Sequence, residues 1–181
     1  VAGNSIETPR LFLMSASSMF PNGLANSSDQ VGRNYMRHLT GSVYARFDKP
    51  VHFYRGETMA GFFADEVKNN PKRGFVGGYY LETLALGPSF LGAFLEPGGW
   101  GKKFADMMDG YQNIAGMWIV GEDMPQANNR ITLGSAKDAF GLPAPNVHFD
   151  DHPNDTAMRN HAYEKGEAIY KAVGATQTYR V

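Results

Sequence analysis

From about Thr156 to Val173 the chain carries a helical pattern that places Met158, Ala162, Ile169 and Val173 on one apolar stripe. Asn154 or Asp155 is suited to cap its start, and Gly174 to end it. A stripe of that spacing must be buried against something. The preceding chain offers short strand-like runs near 42–54, 73–85, 113–120, 129–133 and 147–149. A sheet built from them needs one covered face. Strands clustered with helices between and after them predict an α+β fold, a largely antiparallel sheet with helices packed on it. The terminal helix is expected to lie on that sheet or on a short helix predicted over Ile6–Ala16, whose first turn holds Glu7, Thr8 and Pro9. Ser89–Leu95 and Lys102–Tyr111 also read as helical, separated by Pro97-Gly98-Gly99. The paired glycines Gly77-Gly78 inside the 73–85 run predict a bulge or a close backbone approach.

Composition removes several classes of function. With 43% hydrophobic residues, 19% charged residues and a net charge of −1, the chain has the balance of a globular domain and no basic stripe for nucleic acid. It has no cysteine, so disulfides, thiolate catalysis and Cys-ligated metals are excluded. That absence suits bacterial cytoplasm and periplasm equally. No apolar run approaches the roughly 20 residues of a membrane-spanning helix. Val1-Ala2-Gly3 reads as the tail of a strand already under way, which predicts further protein upstream.

The motif search is mostly negative. His148 and His152 look like metal ligands, but Val147–Phe149 reads as extended and Pro153 disfavours helix at His152. Residues four apart in a strand lie about 13 Å from each other. They do not share a zinc ion whose Zn–N bonds are about 2 Å. No metal site is expected. Gly-x-Ser-x-Gly does not occur. Gly99-Trp100-Gly101 begins like a dinucleotide fingerprint, but Phe104 holds the third glycine position and no strand precedes it. Glu122-Asp123 followed by Asn129-Arg130 reads as a structural hairpin, with Arg130 paired to either acid and Asn129 in the turn. Lys137-Asp138 to Pro143 reads as a turn.

Two N-terminal segments carry a resemblance. Gly3-Asn4-Ser5-Ile6-Glu7-Thr8-Pro9-Arg10-Leu11-Phe12-Leu13 and Val31-Gly32-Arg33-Asn34-Tyr35-Met36-Arg37-His38 resemble conserved stretches of the glucose–methanol–choline (GMC) oxidoreductases. Glu122-Asp123-Met124-Pro125 with Asn129-Arg130, and Asp138 to Pro143, resemble parts of that family's substrate domain. The resemblance covers nearly the whole chain and is closest to bacterial sugar and sugar-acid dehydrogenases. Asn4 stands where many members have Gly or Ala, and Arg37 where an acid is usual.

This resemblance implies an internal fragment of an FAD-dependent enzyme that oxidises a sugar or another alcohol by hydride transfer to flavin. Residues 1–40 would be a remnant of the flavin-binding domain, 41–175 the substrate-binding domain, and 176–181 the start of the return. Gly3 and Thr8 match a segment that approaches the flavin and are the cofactor-binding candidates. The family's Gly-rich flavin fingerprint and its catalytic His are expected outside this stretch, so no catalytic residue is assigned. The fragment alone is expected to be inactive and to bind no FAD, and its Val1–Ala16 segment is expected to be disordered, rearranged or engaged in self-association. The rival reading is a carbohydrate-binding module in which Tyr79, Tyr80, Trp100 and Trp118 stack on sugar rings. A third is a partner-binding domain of a membrane-associated dehydrogenase, beside a small subunit and a cytochrome.

Overall fold

The computed structural model describes residues 2–181, so Val1, the first residue of the expected strand tail, lies outside the described residues. The fold is α+β. The elements are helix α1 (Asn4–Met14), strand β1 (Leu39–Arg46), strand β2 (Phe62–Phe63) and strand β3 (Tyr79–Thr83). Helices α2 (Pro88–Leu95) and α3 (Gly101–Asp109) follow, then strands β4 (Ile114–Gly121), β5 (Arg130–Lys137) and β6 (Pro143–His148), helix α4 (Pro153–Ala172) and strand β7 (Gln177–Arg180). Two compact units form. One joins the stretch ending at Arg37 to Asp123–His152; the other joins His38–Glu122 to Pro153–Val181. Residues 123–152, grouped by the sequence reading with 41–175, thus pack with the N-terminal stretch, and residues 177–180 complete the other unit's sheet.

The unit spanning His38–Glu122 and Pro153–Val181 is built on an antiparallel sheet of order β2-β3-β4-β1-β7. Its register pairs Val43 with Met117 and Leu81 with Ile119. Alternation therefore sends Leu39, Val43, Ala45, Tyr79, Leu81, Met117 and Ile119 to one face, where Met158, Ala162 and Tyr170 of α4 cover them. The stripe of α4 is Asp155, Met158, Ala162, Gly166 and Tyr170, all buried. Met158 and Ala162 are as expected and Ile169 is half-buried, but Val173 is 66% exposed. It falls beyond the last helical residue, where Gly174 at φ 92° turns the chain into β7, so helical phase no longer places it.

One predicted strand run does not form, and another is shortened. At 51–54, His52 takes a left-handed conformation and Phe53–Arg55 forms a 3-10 turn, with the Val51 and His52 amides both donating to the Gln112 carbonyl. At 73–85 the strand begins only at Tyr79. The predicted close approach at Gly77-Gly78 is real but precedes the strand: a Cβ on Gly78 would stand 2.2 Å from the Val67 carbonyl oxygen.

In the other unit, β5 and β6 pair antiparallel as a separate two-stranded sheet, so the single sheet predicted from all five runs is in fact two. α1 packs on this hairpin. Arg10 anchors it: its Nε donates to the Pro143 carbonyl at 2.8 Å, and its other nitrogens reach Glu7 and Asp138 at 3.0 and 2.5 Å. The expected turn before Pro143 is present, with Asp138 Oδ1 accepting from the Phe140 and Leu142 amides.

Candidate functional site

The face of the five-stranded sheet turned away from α4 carries the polar and aromatic residues. Across β3, β4 and β1 the register sets Glu82 beside Trp118 and Trp118 beside Ser42, with Tyr80, Val120 and Thr40 forming the next row. Each is two residues from its neighbour on the same strand, so all six project to this face. The segment around β2 walls one side through Met59, Phe62, Ala64 and Val67. The Phe62 ring meets Tyr80 edge-on at 6.1 Å. Two depressions of about 350 and 310 Å3 adjoin here, sharing Val67 and Tyr80. The second extends to His38, Gly78, Val120, Gly121 and Glu122.

The groove is weakly acidic. Glu82 is only 8% exposed, and its carboxylate holds the neighbouring Tyr80 phenol above its ordinary pKa. Glu122 Oε2 accepts from the Gly78 amide at 3.1 Å. His38 is the one nitrogen base on the lining, and no Lys or Arg contributes to either depression. Carboxylate acceptors beside aromatic faces suit a neutral polyhydroxylated molecule: the acids take hydroxyl protons and a ring covers C–H surface.

The sequence-derived candidates scatter. The Gly3 amide donates to Thr8 Oγ1 at 3.2 Å at the N-terminus of α1, so these two do meet. The next amides, of Ile6 and Glu7, are taken by Asn4 Oδ1 at 2.8 and 2.9 Å. Asn4 sits at φ 50°, a conformation Asn tolerates better than most residues. Of the four proposed stacking rings, Tyr80 and Trp118 lie together on the open face. Tyr79 points the other way, buried at 2% exposure and bonded to His161 Nδ1 at 2.8 Å. Trp100 lies in the α2–α3 connection, 87% exposed.

The expected Arg130 pairing with Glu122 or Asp123 does not form. β4 and β5 belong to different sheets, and Arg130 instead approaches Asp29 at 3.5 Å. Asp123 accepts from the Arg37 amide. Asn129 closes the turn, its amide donating to the Gln126 carbonyl at 3.0 Å, and its buried side chain exchanges two hydrogen bonds with the Asp150 backbone. His148 lies 3.1 Å from Asp150, and among the described residues no three His, Asp or Glu side chains gather to hold a metal. Sequence reading missed Glu82, Ser42 and Thr40. The available signal was period-two placement of polar residues in runs that also hold Tyr80 and Trp118.

No family model matches the chain. It is similar to 2-methyl-1,2-propanediol dehydrogenase of Mycolicibacterium austroafricanum, 33% identical over 190 residues, which cover 98% of this chain and 34% of that enzyme. It is also similar to the fructose dehydrogenase large subunit of Gluconobacter japonicus, 31% identical over 192 residues, covering 98% of this chain and 33% of that subunit. The chain thus spans about a third of the length of these relatives. No helix among the described residues is long and apolar enough to cross a membrane.

Proposed function

We propose that this chain is the substrate-facing part of an FAD-dependent oxidoreductase of the GMC type, acting on a sugar or another neutral alcohol. Similarity to two dehydrogenases, one named for a diol and one for a sugar, supports an oxidoreductase acting on such molecules. The observation that carries the reading is the open sheet face on which Tyr80, Glu82 and Trp118 converge. Glu82 accepts a hydrogen bond from a substrate hydroxyl and fixes orientation. Trp118 covers the C–H face of the substrate and keeps water from it.

The FAD reading has a limited fit here. The amides of Gly3, Ile6 and Glu7 are already used by Thr8 and Asn4, so the start of α1 does not offer the free donors a pyrophosphate needs. Gly3, without a side chain, and the Thr8 hydroxyl suit the flank of a flat ring instead. Bound flavin would supply the hydride acceptor, and its pyrophosphate site would lie in other parts of the parent enzyme.

The test uses the parent polypeptide that contains this chain. It should purify with flavin, and a neutral polyol should bleach the flavin band without oxygen. Trp118→Ala and Glu82→Gln should raise KM at least tenfold while reducing kcat less. The 181-residue chain alone should carry no flavin. A parent protein without flavin would sink the enzymatic reading. If the isolated chain then bound fructose tightly, with quenching of Trp118 fluorescence, the sugar-binding module would replace it.

A further inference from the structure

A separate cavity of about 290 Å3 lies at the opposite end of β1 from Thr40, lined by Arg46, Leu95, Glu96, Lys103, Phe104, Met107 and Tyr179. Arg46 and Thr40 are six residues apart on one strand, which places this cavity roughly 20 Å from the groove. Its walls come from the end of α2, from Lys103, Phe104 and Met107 of α3 and from the β7 residue Tyr179, which pairs with Tyr44.

Arg46 is fixed by its backbone. It pairs with Ile114 on one side and Gln177 on the other, and its carbonyl accepts from the Thr176 amide. The guanidinium lies against Gly110, where a Cβ would come within 1.5 Å of its Nη2, so any larger residue there would displace it. Arg10, Arg33, Arg73 and Arg180 each face a carboxylate or a carbonyl, and Arg55 lies over the Tyr54 ring. The Arg46 side chain makes no hydrogen bond or ion pair with any described residue. Lys103 and Glu96 neutralise each other across 3.4 Å. An unpaired cation thus faces a cavity that it shares with the Lys103–Glu96 pair and with Leu95, Phe104, Met107 and Tyr179. A cation left so, beside apolar walls, gains most from an anion that brings its own apolar body.

We infer that this cavity is a binding site for a small monocarboxylate with an apolar tail, its carboxylate on the Arg46 guanidinium and its tail against Leu95, Phe104 and Met107. At about 30 Å3 per water-sized group, the volume admits on the order of ten heavy atoms. Octanoate matches that size and charge. The site does not depend on the groove or on flavin.

Octanoate, 1-octanol and acetate are titrated into the 181-residue chain at neutral pH by calorimetry, with ligand-observed NMR as a second readout. Octanoate should bind saturably at one site per chain, at least tenfold tighter than 1-octanol, which has the tail without the charge. Acetate should bind weaker still. Arg46→Gln should remove the preference for octanoate over 1-octanol. Leu95→Trp, which fills the cavity from α2, should weaken both, and it decides the matter if Arg46→Gln does not fold. Equal affinity for octanoate and 1-octanol, no saturable octanoate binding, or octanoate binding unaltered in folded Arg46→Gln or Leu95→Trp would overturn the assignment.

Discussion

Arg10 satisfies three acceptors with one guanidinium, and two of them, Asp138 just after β5 and Pro143 at the start of β6, flank the hairpin turn. Nothing local in the sequence marks these partners, which lie 128 and 133 residues away. The Arg10 hydrogen bond, helped by the Leu142 and Phe140 amides, holds the Asp138 carboxyl below the usual carboxylate range. A depressed folded pKa adds stability that is complete above the unfolded value, near 3.9, and is lost as pH falls through the lower folded value. Thermal melts of the wild type should therefore lose an increment between pH 6 and pH 3 that Asp138→Asn lacks. Arg10→Ala should lower Tm by a few degrees at pH 6 and by less at pH 3. Identical pH dependence in wild type and Asp138→Asn would show that the pair does not contribute.

Elements were legible where one period ran long enough to be read. β1, β4, α2, α3 and α4 appear within a few residues of their expected places, because apolar positions recur at 2 or 3.6 residues. The 51–54 run failed because aromatic residues also fill packed turns: Tyr54 there packs against Tyr111, ring centroids 5.0 Å apart, rather than lying on a sheet. β5 runs four residues past the expected Leu133, through an exposed, irregularly paired stretch with no apolar signal. Gly166 is the position where local and tertiary preferences oppose each other. In an exposed helix, Gly→Ala gains about 1 kcal/mol. In α4 the added Cβ would stand 2.8 Å from Val43 Cγ2 and 3.2 Å from its Cβ, and β-branched Val43 sits in a strand with little room to move. Gly166→Ala should destabilise, by about 1–3 kcal/mol of overpacking. Met158→Ala, at a fully buried position, should cost about 2–4 kcal/mol. Urea unfolding checks both; a more stable Gly166→Ala would mean that α4 lies farther from β1 than described.

At the scale of the whole chain, the sheet and its covering helix were legible, but the grouping of segments was not. Whether Tyr79 or Tyr80 faces the groove depends on one residue of parity, which register with β4 fixes and composition does not. The excursion over 123–152 was hidden for a similar reason: its turn chemistry is visible, its packing partner is not. Within the unit holding the groove, the ends of that excursion lie close together. The Glu122 amide donates to the Gly78 carbonyl at 3.3 Å, and Asn154 Oδ1 accepts from the Val76 amide at 2.7 Å. With Val76 and Gly78 two residues apart, Glu122 and Pro153 are separated by on the order of 15 Å. About eight Gly/Ser residues have a root-mean-square span of that size. His38–Val181 with 123–152 replaced by such a linker should therefore fold by itself, because the strands of its sheet and α4 all remain. It should show a cooperative thermal transition, and Met158→Ala should lower that transition as in the intact chain. A chain that unfolds without cooperativity, or whose transition ignores Met158→Ala, would mean that this sheet and helix cannot hold together without the other unit.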